Sequence, residues 1–189
     1  MEIIQYGELL NKAFCDLIIE KAKPKMFQAD VIGETKDNRI ASNCWFDNNE
    51  FPELHHLKEW IAGTTSTPIE NQENGTVVRY DVGGKYEAHF DYFDSSVPAQ
   101  AKQLETGGNR VWSFLVYLNE GFEGGQTDFP EYKLTVEPEL GKGVLWRNTL
   151  DGQLLKNSIH TGMPVTEGTK WIFITWIREN KFGYETKNT

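Results

Sequence analysis

The chain has 189 residues, of which 39% are hydrophobic and 13% aromatic, enough to bury the core of one domain. The formal net charge of -9 disfavours a mainly electrostatic attraction to nucleic acid or to an anionic membrane surface, so we expect no nucleic acid and no membrane as partners. No stretch approaches the roughly 20 apolar residues of a membrane span, and the first residues lack a signal-peptide pattern, which together predict a cytoplasmic protein.

Two helical patterns occupy the N-terminal part of the chain. Between Tyr6 and Ala22 the apolar residues recur at spacings of one, three and four, as on an amphipathic helix. A second pattern covers Pro52–Ala62, with proline near its start and Gly63 just past its end. We therefore expect residues 1–74 to be a mostly helical support for the rest of the chain.

From Gly75 onward the sequence consists of short runs rich in β-branched and aromatic residues, separated by turns. These runs predict eight strands: Thr76–Tyr80, Tyr86–Phe90, Val111–Leu118, Gln126–Phe129, Lys133–Val136, Gly143–Trp146, Ser158–Thr161 and Trp171–Ile177. Helices followed by many short strands predict an α+β protein built on a β-sandwich or barrel, and a jelly roll fits best. We expect a single domain, with the N-terminal helices packed on one sheet of a core over residues 75–179.

The segment Asp94–Asn109 separates the second and third of these strands. It is rich in Ser, Gln and Gly and is too long for a hairpin turn, so we predict a mobile loop beside a site.

A metal site is predicted from the few histidines of the chain. His89 and Asp91 lie two positions apart in a predicted strand, so their side chains project from the same face and can meet one ion. Such a pair is weak evidence alone. However, the chain has only four histidines, and His55 and His56 are expected to face solvent on the second helix. His160, in a distant strand, is then the candidate third ligand.

Two histidines and one carboxylate form a facial triad. This ligand set leaves open positions on the metal and suits non-haem Fe(II) that binds an organic cosubstrate and O₂ together. A structural zinc site usually has four protein ligands and more cysteine, so it fits less well. The ligand types alone leave a hydrolytic zinc centre open.

The motif order resembles that of the prolyl 4-hydroxylase family. The segment Arg79-Tyr80-x-x-Gly83-x-x-Tyr86-x-x-His89-x-Asp91 is similar to the family's metal-binding segment. Further similar segments follow in the family's order: 110–119, 124–130, 138–148 and 158–178. The resemblance covers about residues 39–179, and its ordered combination is more specific than any one motif. It implies a double-stranded β-helix, in agreement with the jelly roll expected from the strands.

The resemblance also implies a reaction. A member of this family is a 2-oxoglutarate-dependent dioxygenase that uses Fe(II) and O₂, takes ascorbate as a reductant, and hydroxylates its substrate with release of succinate and CO₂. Asp91 stands where halogenating relatives carry a small residue, which favours hydroxylation. The expected reaction is 4-hydroxylation of peptidyl proline, and the expected partner is a proline-containing peptide or protein.

Residue roles follow from the same resemblance. Lys170 matches the lysine that binds the distal carboxylate of 2-oxoglutarate, whereas composition alone would make it a solvated turn lysine. The other matched positions line the cosubstrate pocket (Tyr80, Tyr117 and Thr127) or face the substrate side of the iron (Tyr86, Arg110 and Trp176). Arg178 stands where some relatives carry histidine, so we expect the peptide-contacting surface to differ here.

Two alternatives stay open from the sequence besides the hydrolytic zinc centre. The same chemistry could act on a free amino acid or a small metabolite. A non-catalytic β-sandwich binding module is the other alternative, disfavoured because such a module requires neither the three ligands nor the lysine.

Overall fold

The computed structural model describes residues 3–29, 38–47 and 50–183. Three α-helices lie within these ranges: α1 (Lys12–Ala22), α2 (His55–Thr65) and α3 (Pro98–Leu104). The strands of the described ranges, in chain order, are β1 (Ile3–Tyr6), β2 (Phe27–Gln28), β3 (Arg39–Ile40), β4 (Ser42–Phe46), β5 (Gly75–Tyr80), β6 (Lys85–His89), β7 (Arg110–Tyr117), β8 (Glu123–Gly124), β9 (Thr127–Phe129), β10 (Leu134–Val136), β11 (Gly143–Arg147), β12 (Thr149–Leu150), β13 (Gln153–Leu154), β14 (His160–Gly162), β15 (Val165–Glu167) and β16 (Lys170–Arg178).

Two antiparallel sheets form the body of the protein. The larger sheet has seven strands in the order β1-β11-β7-β16-β5-β4-β2, and the smaller has five in the order β10-β9-β14-β6-β3. Neighbouring strands in space are mostly distant in sequence, as in a double-stranded β-helix. The predicted fold class is therefore confirmed.

The central strands of the larger sheet, such as β5, β7 and β16, are buried on both faces. Alternate residues project to opposite faces of a strand. One face packs against α1 and α2 through residues such as Val77, Phe114 and Phe173. The other face packs toward the smaller sheet through Val78, Leu115 and Ile172. Each such fully buried aliphatic or aromatic side chain contributes roughly 1.5–3 kcal/mol, which makes the larger sheet a rigid wall for a site.

The helix boundaries differ from the predicted ones. Asn11 caps α1, because its Oδ1 accepts a hydrogen bond from the Phe14 amide at 2.9 Å. The helix therefore begins at Lys12, and the preceding residues Ile3–Tyr6 pair with β11 instead. α2 continues past Gly63 and ends where Ser66 adopts a left-handed backbone with φ 54°. In the described part of the chain, no helix has both the length and the apolar character needed to cross a bilayer.

All eight predicted strands are present, but the described ranges contain other strands that the sequence did not predict. Most of these are two or three residues long, too short for an alternating pattern to be recognised. The longest, β4, pairs with β5 over five residues. Its polar beginning, Ser42-Asn43, hides its strand character in the sequence.

The segment Asp94–Asn109 has regular structure of its own. It contains α3. The last residue of the segment, Asn109, is hydrogen-bonded to Phe93, the residue that precedes the segment. The Asn109 side chain accepts from the Phe93 amide and donates to the Phe93 carbonyl, both at 2.9 Å. The predicted mobility of this segment stays a prediction.

Candidate active site

Strand register brings the three predicted metal ligands together. β6 and β14 are antiparallel neighbours, and His160 lies directly opposite His89. β6 ends at His89, yet Asp91 still turns to the same side, and all three side chains are buried. Their candidate ligand atoms lie within 4.8 Å of one another. The Asp91 carboxylate lies 3.7 Å from the Nε2 atom of each histidine.

Hydrogen bonds set the orientation of both imidazole rings. His89 Nδ1 lies 2.7 Å from the Glu87 carbonyl, and His160 Nδ1 lies 2.9 Å from the Ser158 carbonyl. Because a carbonyl can only accept, each Nδ1 carries a hydrogen, so in the neutral form of either ring the free lone pair is on Nε2. Burial, with the nearby His160, lowers the pKa of His89 to about 3. The His89 ring is therefore neutral, as a metal ligand must be.

Asp91 is held in its ionised form. Burial by itself would raise the pKa of this carboxyl group, but the neighbouring His160, His89 and Arg110 and a hydrogen bond from Ser113 lower it to about 2. Ser113 Oγ donates to Asp91 Oδ2 at 2.5 Å, and Arg110 Nη1 lies 4.0 Å from Oδ1. The group thus provides one negative charge at the site.

The donor set fits the expected metal. Two imidazole nitrogens with free lone pairs and one carboxylate converge, which matches the facial triad of non-haem Fe(II) sites. In the described ranges this is the one cluster of at least three potential metal ligands, and it contains no cysteine. Both cysteines are buried and unpaired elsewhere. A closed, cysteine-rich structural zinc site does not fit these residues.

Lys170 is a buried cation without an anionic partner. It is the first residue of β16, pairs in register with Tyr80, and is 2% exposed. Its Nζ donates to the Gly125 carbonyl at 2.5 Å and lies near the rings of Tyr80 (5.0 Å) and Tyr117 (5.4 Å). No described carboxylate lies within 4 Å of Nζ. Burial lowers the Lys170 pKa to about 7, so a bound carboxylate would supply the missing charge partner.

Hydroxyl groups accompany Lys170. The Tyr117 hydroxyl and Thr127 Oγ1 are hydrogen-bonded at 2.7 Å, and both residues are buried. Burial raises the pKa of Tyr117. Burial also raises the pKa of Tyr80, although the charge of Arg39 and its hydrogen bond to Tyr80 act in the opposite direction. These phenols therefore stay protonated and can donate hydrogen bonds to a ligand oxygen.

One cavity connects these two groups of residues, and we call it the site cavity. Its empty space is about 460 Å³, a value that includes open solvent at the mouth. Its lining includes the three metal-ligand candidates, Tyr80, Thr127 and Lys170, and also Tyr86 and Trp176. The triad and the lysine thus line a single space, and we call their surroundings the triad end and the lysine end.

The residues predicted for the substrate side are packed against the triad. The Tyr86 ring stacks on the His89 ring, with centroids 3.5 Å apart. The Arg110 guanidinium lies 3.7 Å from the centre of the Trp176 ring. Glu73 fixes Arg110 through two hydrogen bonds, to Nε at 2.7 Å and to Nη2 at 2.9 Å. Aromatic surfaces and one oriented cation therefore border the triad.

Arg178 lies away from the site cavity. It is 1% exposed, its Nε donates to Glu73 at 2.5 Å, and its Nη1 donates to the carbonyls of Gly108 (2.6 Å) and Gln103 (3.1 Å). The arginine found where some relatives have histidine thus anchors the end of the Asp94–Asn109 segment. Its effect on a peptide-contacting surface stays a prediction.

Several residues of the site were missed in the sequence. Ser113 and Asn148 form a hydrogen-bonded chain to Asp91, Glu73 orients Arg110, and Trp146 packs edge-on against His160 at 4.8 Å. A lone Ser, Asn or Glu in a strand or turn has no periodic or compositional signal. Only the packing of residues that are distant in sequence reveals these contacts.

Comparisons with known proteins agree with this geometry. A sequence model of the 2OG-Fe(II) oxygenase superfamily matches residues 75–178. Human prolyl 4-hydroxylase subunit alpha-1 is 31% identical over 184 residues, which cover 94% of this chain and 34% of the human protein. The chain thus spans about a third of that relative. A prolyl 4-hydroxylase homologue of Acanthamoeba polyphaga mimivirus is 33% identical over 179 residues, covering 93% of this chain and 74% of the viral protein.

A solved structure shares the fold over nearly the whole chain. It is the viral collagen prolyl hydroxylase of Paramecium Bursaria Chlorella virus-1 in complex with 2OG. Its TM-score is 0.74 at 25% identity, with 94% of this chain and 96% of that chain covered.

Proposed function

This chain belongs to the 2OG-Fe(II) oxygenase superfamily and, within it, to the prolyl 4-hydroxylase family, and from that premise we propose that it hydroxylates a proline side chain of a peptide or protein. The family was predicted from the sequence, and that prediction is confirmed, together with Fe(II) as cofactor and 2-oxoglutarate as cosubstrate. The substrate and the role of each residue are parts of the proposal.

In this proposal His89, Asp91 and His160 bind Fe(II) through the two Nε2 atoms and the carboxylate. When bound, Fe(II) with 2-oxoglutarate and O₂ supplies the oxidising chemistry, which converts 2-oxoglutarate to succinate and CO₂ while the substrate gains a hydroxyl group. The backbone hydrogen bonds at Nδ1 fix the orientation of each ring, so that Nε2 is directed toward the position of the metal.

One observation carries the assignment of the cosubstrate: Lys170 is buried without a carboxylate partner in the same cavity as the triad. A dicarboxylate can reach both ends of such a cavity, with one carboxylate at Lys170 and its 2-oxo acid end toward the metal. Tyr80, Tyr117 and Thr127 then provide hydroxyl groups around the distal carboxylate. Hydrolysis by a metal-bound water would not by itself require this buried cation.

The substrate side supports a proline-containing peptide. Tyr86 and Trp176 present aromatic rings to the cavity, and aromatic-lined grooves are a recurring way of binding proline-rich segments. Arg110 lies between the Trp176 ring and Asp91 and is oriented by Glu73. Its guanidinium can donate to a peptide carbonyl while the proline ring lies beside the triad.

The proposal is tested with the purified chain, Fe(II), 2-oxoglutarate, ascorbate and O₂. The substrate is a synthetic (Pro-Pro-Gly)5 peptide, chosen because the viral structural relative is a collagen prolyl hydroxylase. We expect succinate release coupled to a mass gain of one oxygen atom per hydroxylated proline. A peptide with alanine in place of proline is the control. Turnover of free proline but not of the peptide would favour the small-metabolite alternative, and no turnover of 2-oxoglutarate would contradict the dioxygenase class.

A further inference from the structure

A buried hydrogen-bonded pair connects the larger sheet to the triad. Ser113 in β7 and Asn148, the residue after β11, are both 0% exposed. Ser113 Oγ lies 2.5 Å from Asp91 Oδ2, and Asn148 Nδ2 lies 2.8 Å from Ser113 Oγ. Ser113 is 22 positions from Asp91 in the sequence, and Asn148 is 35 positions from Ser113. The Asp91 carboxylate is thus held by residues that are distant in sequence.

The direction of the hydrogen bonds follows from chemistry. An ionised carboxylate can only accept, so the single proton of the Ser113 hydroxyl points to Asp91. The serine oxygen must then accept from Asn148, whose amide NH₂ is the donor. The Asn148 backbone is fixed as well, because its amide donates to the Val111 carbonyl at 2.8 Å and its carbonyl accepts from the Leu155 amide at 2.9 Å. The chain of donors from Asn148 to Ser113 to Asp91 therefore has one orientation.

The three metal-ligand candidates are anchored in different ways. His89 and His160 each bind a backbone carbonyl two residues earlier in their own segment. Asp91, which lies beyond the end of β6, instead receives its hydrogen bond from the opposite sheet through Ser113. Without this bond the carboxylate could rotate about its Cβ–Cγ bond, and its two oxygens would no longer be directed toward the two Nε2 atoms.

We propose that Ser113 and Asn148 are positioning residues of the metal centre, which hold the Asp91 carboxylate in its metal-binding orientation. The inference rests on the proposed function of the triad. Partners that hydrogen-bond to metal ligands set the ligand geometry, and their loss typically lowers metal affinity by roughly 10- to 100-fold. Among the described residues, the side-chain hydrogen bonds of Ser113 and Asn148 involve neither Lys170 nor Thr127, so their effect is expected on metal binding first.

The test is the affinity of the metal-free full chain for Co(II), measured by titration and by the Co(II) absorption spectrum. We expect Ser113→Ala to weaken Co(II) binding roughly 10- to 100-fold and to change the spectrum, and Asn148→Ala to weaken it less. Thr65→Val is the matched control. Thr65 is also a buried hydroxyl residue, 9% exposed, but it lies at the end of α2, where its Oγ1 donates to the Ile61 carbonyl at 2.8 Å. We expect its Co(II) affinity to equal that of the unaltered chain.

Ser113→Thr keeps the hydroxyl group and is expected to restore affinity and spectrum toward those of the unaltered chain. If Ser113→Ala lowers only the thermal stability of the metal-free protein and leaves Co(II) affinity within twofold, the pair is merely structural and the inference is wrong. If Ser113→Ala does not fold, Asn148→Ala decides in the same way. Failure of the unaltered chain to bind Co(II) would instead contradict the proposed function.

Discussion

The two ends of the site cavity are built in opposite ways. At the triad, the nitrogen of each histidine that points away from the site is already hydrogen-bonded, and Asp91 is fixed from the opposite sheet. At the other end, the ammonium group of Lys170 has one backbone carbonyl and two aromatic rings but no carboxylate. The triad is complete before any ligand binds, whereas the lysine becomes electrostatically paired only when a ligand binds.

This difference has a physical reason. A metal with three protein ligands requires a fixed geometry, which the protein provides through a shell of hydrogen bonds. A cosubstrate that is consumed in every cycle must bind and leave. A buried ammonium group without a partner costs stability in the free protein, and that cost is removed when an anionic ligand binds. At the lysine end, the stability of the folded protein therefore depends on ligand binding. At the triad end, the geometry of the side chains is fixed without the cosubstrate.

The largest effect is expected from removing a triad ligand. His160→Ala leaves two protein ligands and should lower succinate release by roughly a thousand-fold or more, with less than one equivalent of Fe(II) retained after gel filtration. His56→Ala is the control, because the His56 side chain is 93% exposed on α2. Substantial succinate release by His160→Ala would show that turnover does not require all three triad residues.

Removing the charge at the lysine end should weaken cosubstrate binding without changing metal binding at the triad. Lys170→Met keeps most of the side-chain volume but removes the cation, so we expect the KM for 2-oxoglutarate to rise roughly a hundred-fold. Co(II) affinity should stay unchanged, and the thermal midpoint of the ligand-free protein should rise. Lys102→Met, in an exposed position of α3, is the matched control. A drop in Co(II) affinity would mean that the two ends are not independent.

The pH dependence of stability should also report the unpaired lysine. The Lys170 pKa falls from 10.5 to about 7 on folding, so the unfolded chain binds more protons between these values and stability rises with pH across this window. Relative to Lys170→Met, the ligand-free chain should gain on the order of 2 kcal/mol from pH 7 to pH 9. Urea unfolding at both pH values measures this. Equal slopes for the two proteins would contradict an unpaired buried ammonium group.

The smallest effect concerns a hydroxyl beside Lys170. Thr127→Val preserves the shape but removes the hydrogen bond to the Tyr117 hydroxyl, so the KM for 2-oxoglutarate should rise roughly fivefold, the worth of about one neutral hydrogen bond. Thr135→Val is the control, because Thr135 Oγ1 donates to Asp128 on the exposed side of β10. An unchanged KM for both variants would remove Thr127 from the cosubstrate site.

The sequence predicted eight of the sixteen strands in the described ranges, and it predicted the candidate site. His89, Asp91 and His160 could be found because histidine is scarce in this chain and because the motif order is specific. The first helix was predicted to begin too early, since the apolar pattern runs through Tyr6 into a segment that pairs with β11. Periodicity records which residues are apolar, but it does not distinguish a helix from an adjoining edge strand.

What the sequence determined by itself is the set of chemical groups and the double-stranded β-helix that carries them, because these depend on local alternation and on an ordered motif. Only the tertiary structure decided how the two ends of the cavity are supported. Ser113 reaches Asp91 from the opposite sheet, and Lys170 is enclosed without a counter-ion. Both facts depend on strand register and burial between residues distant in sequence, and no local pattern encodes them.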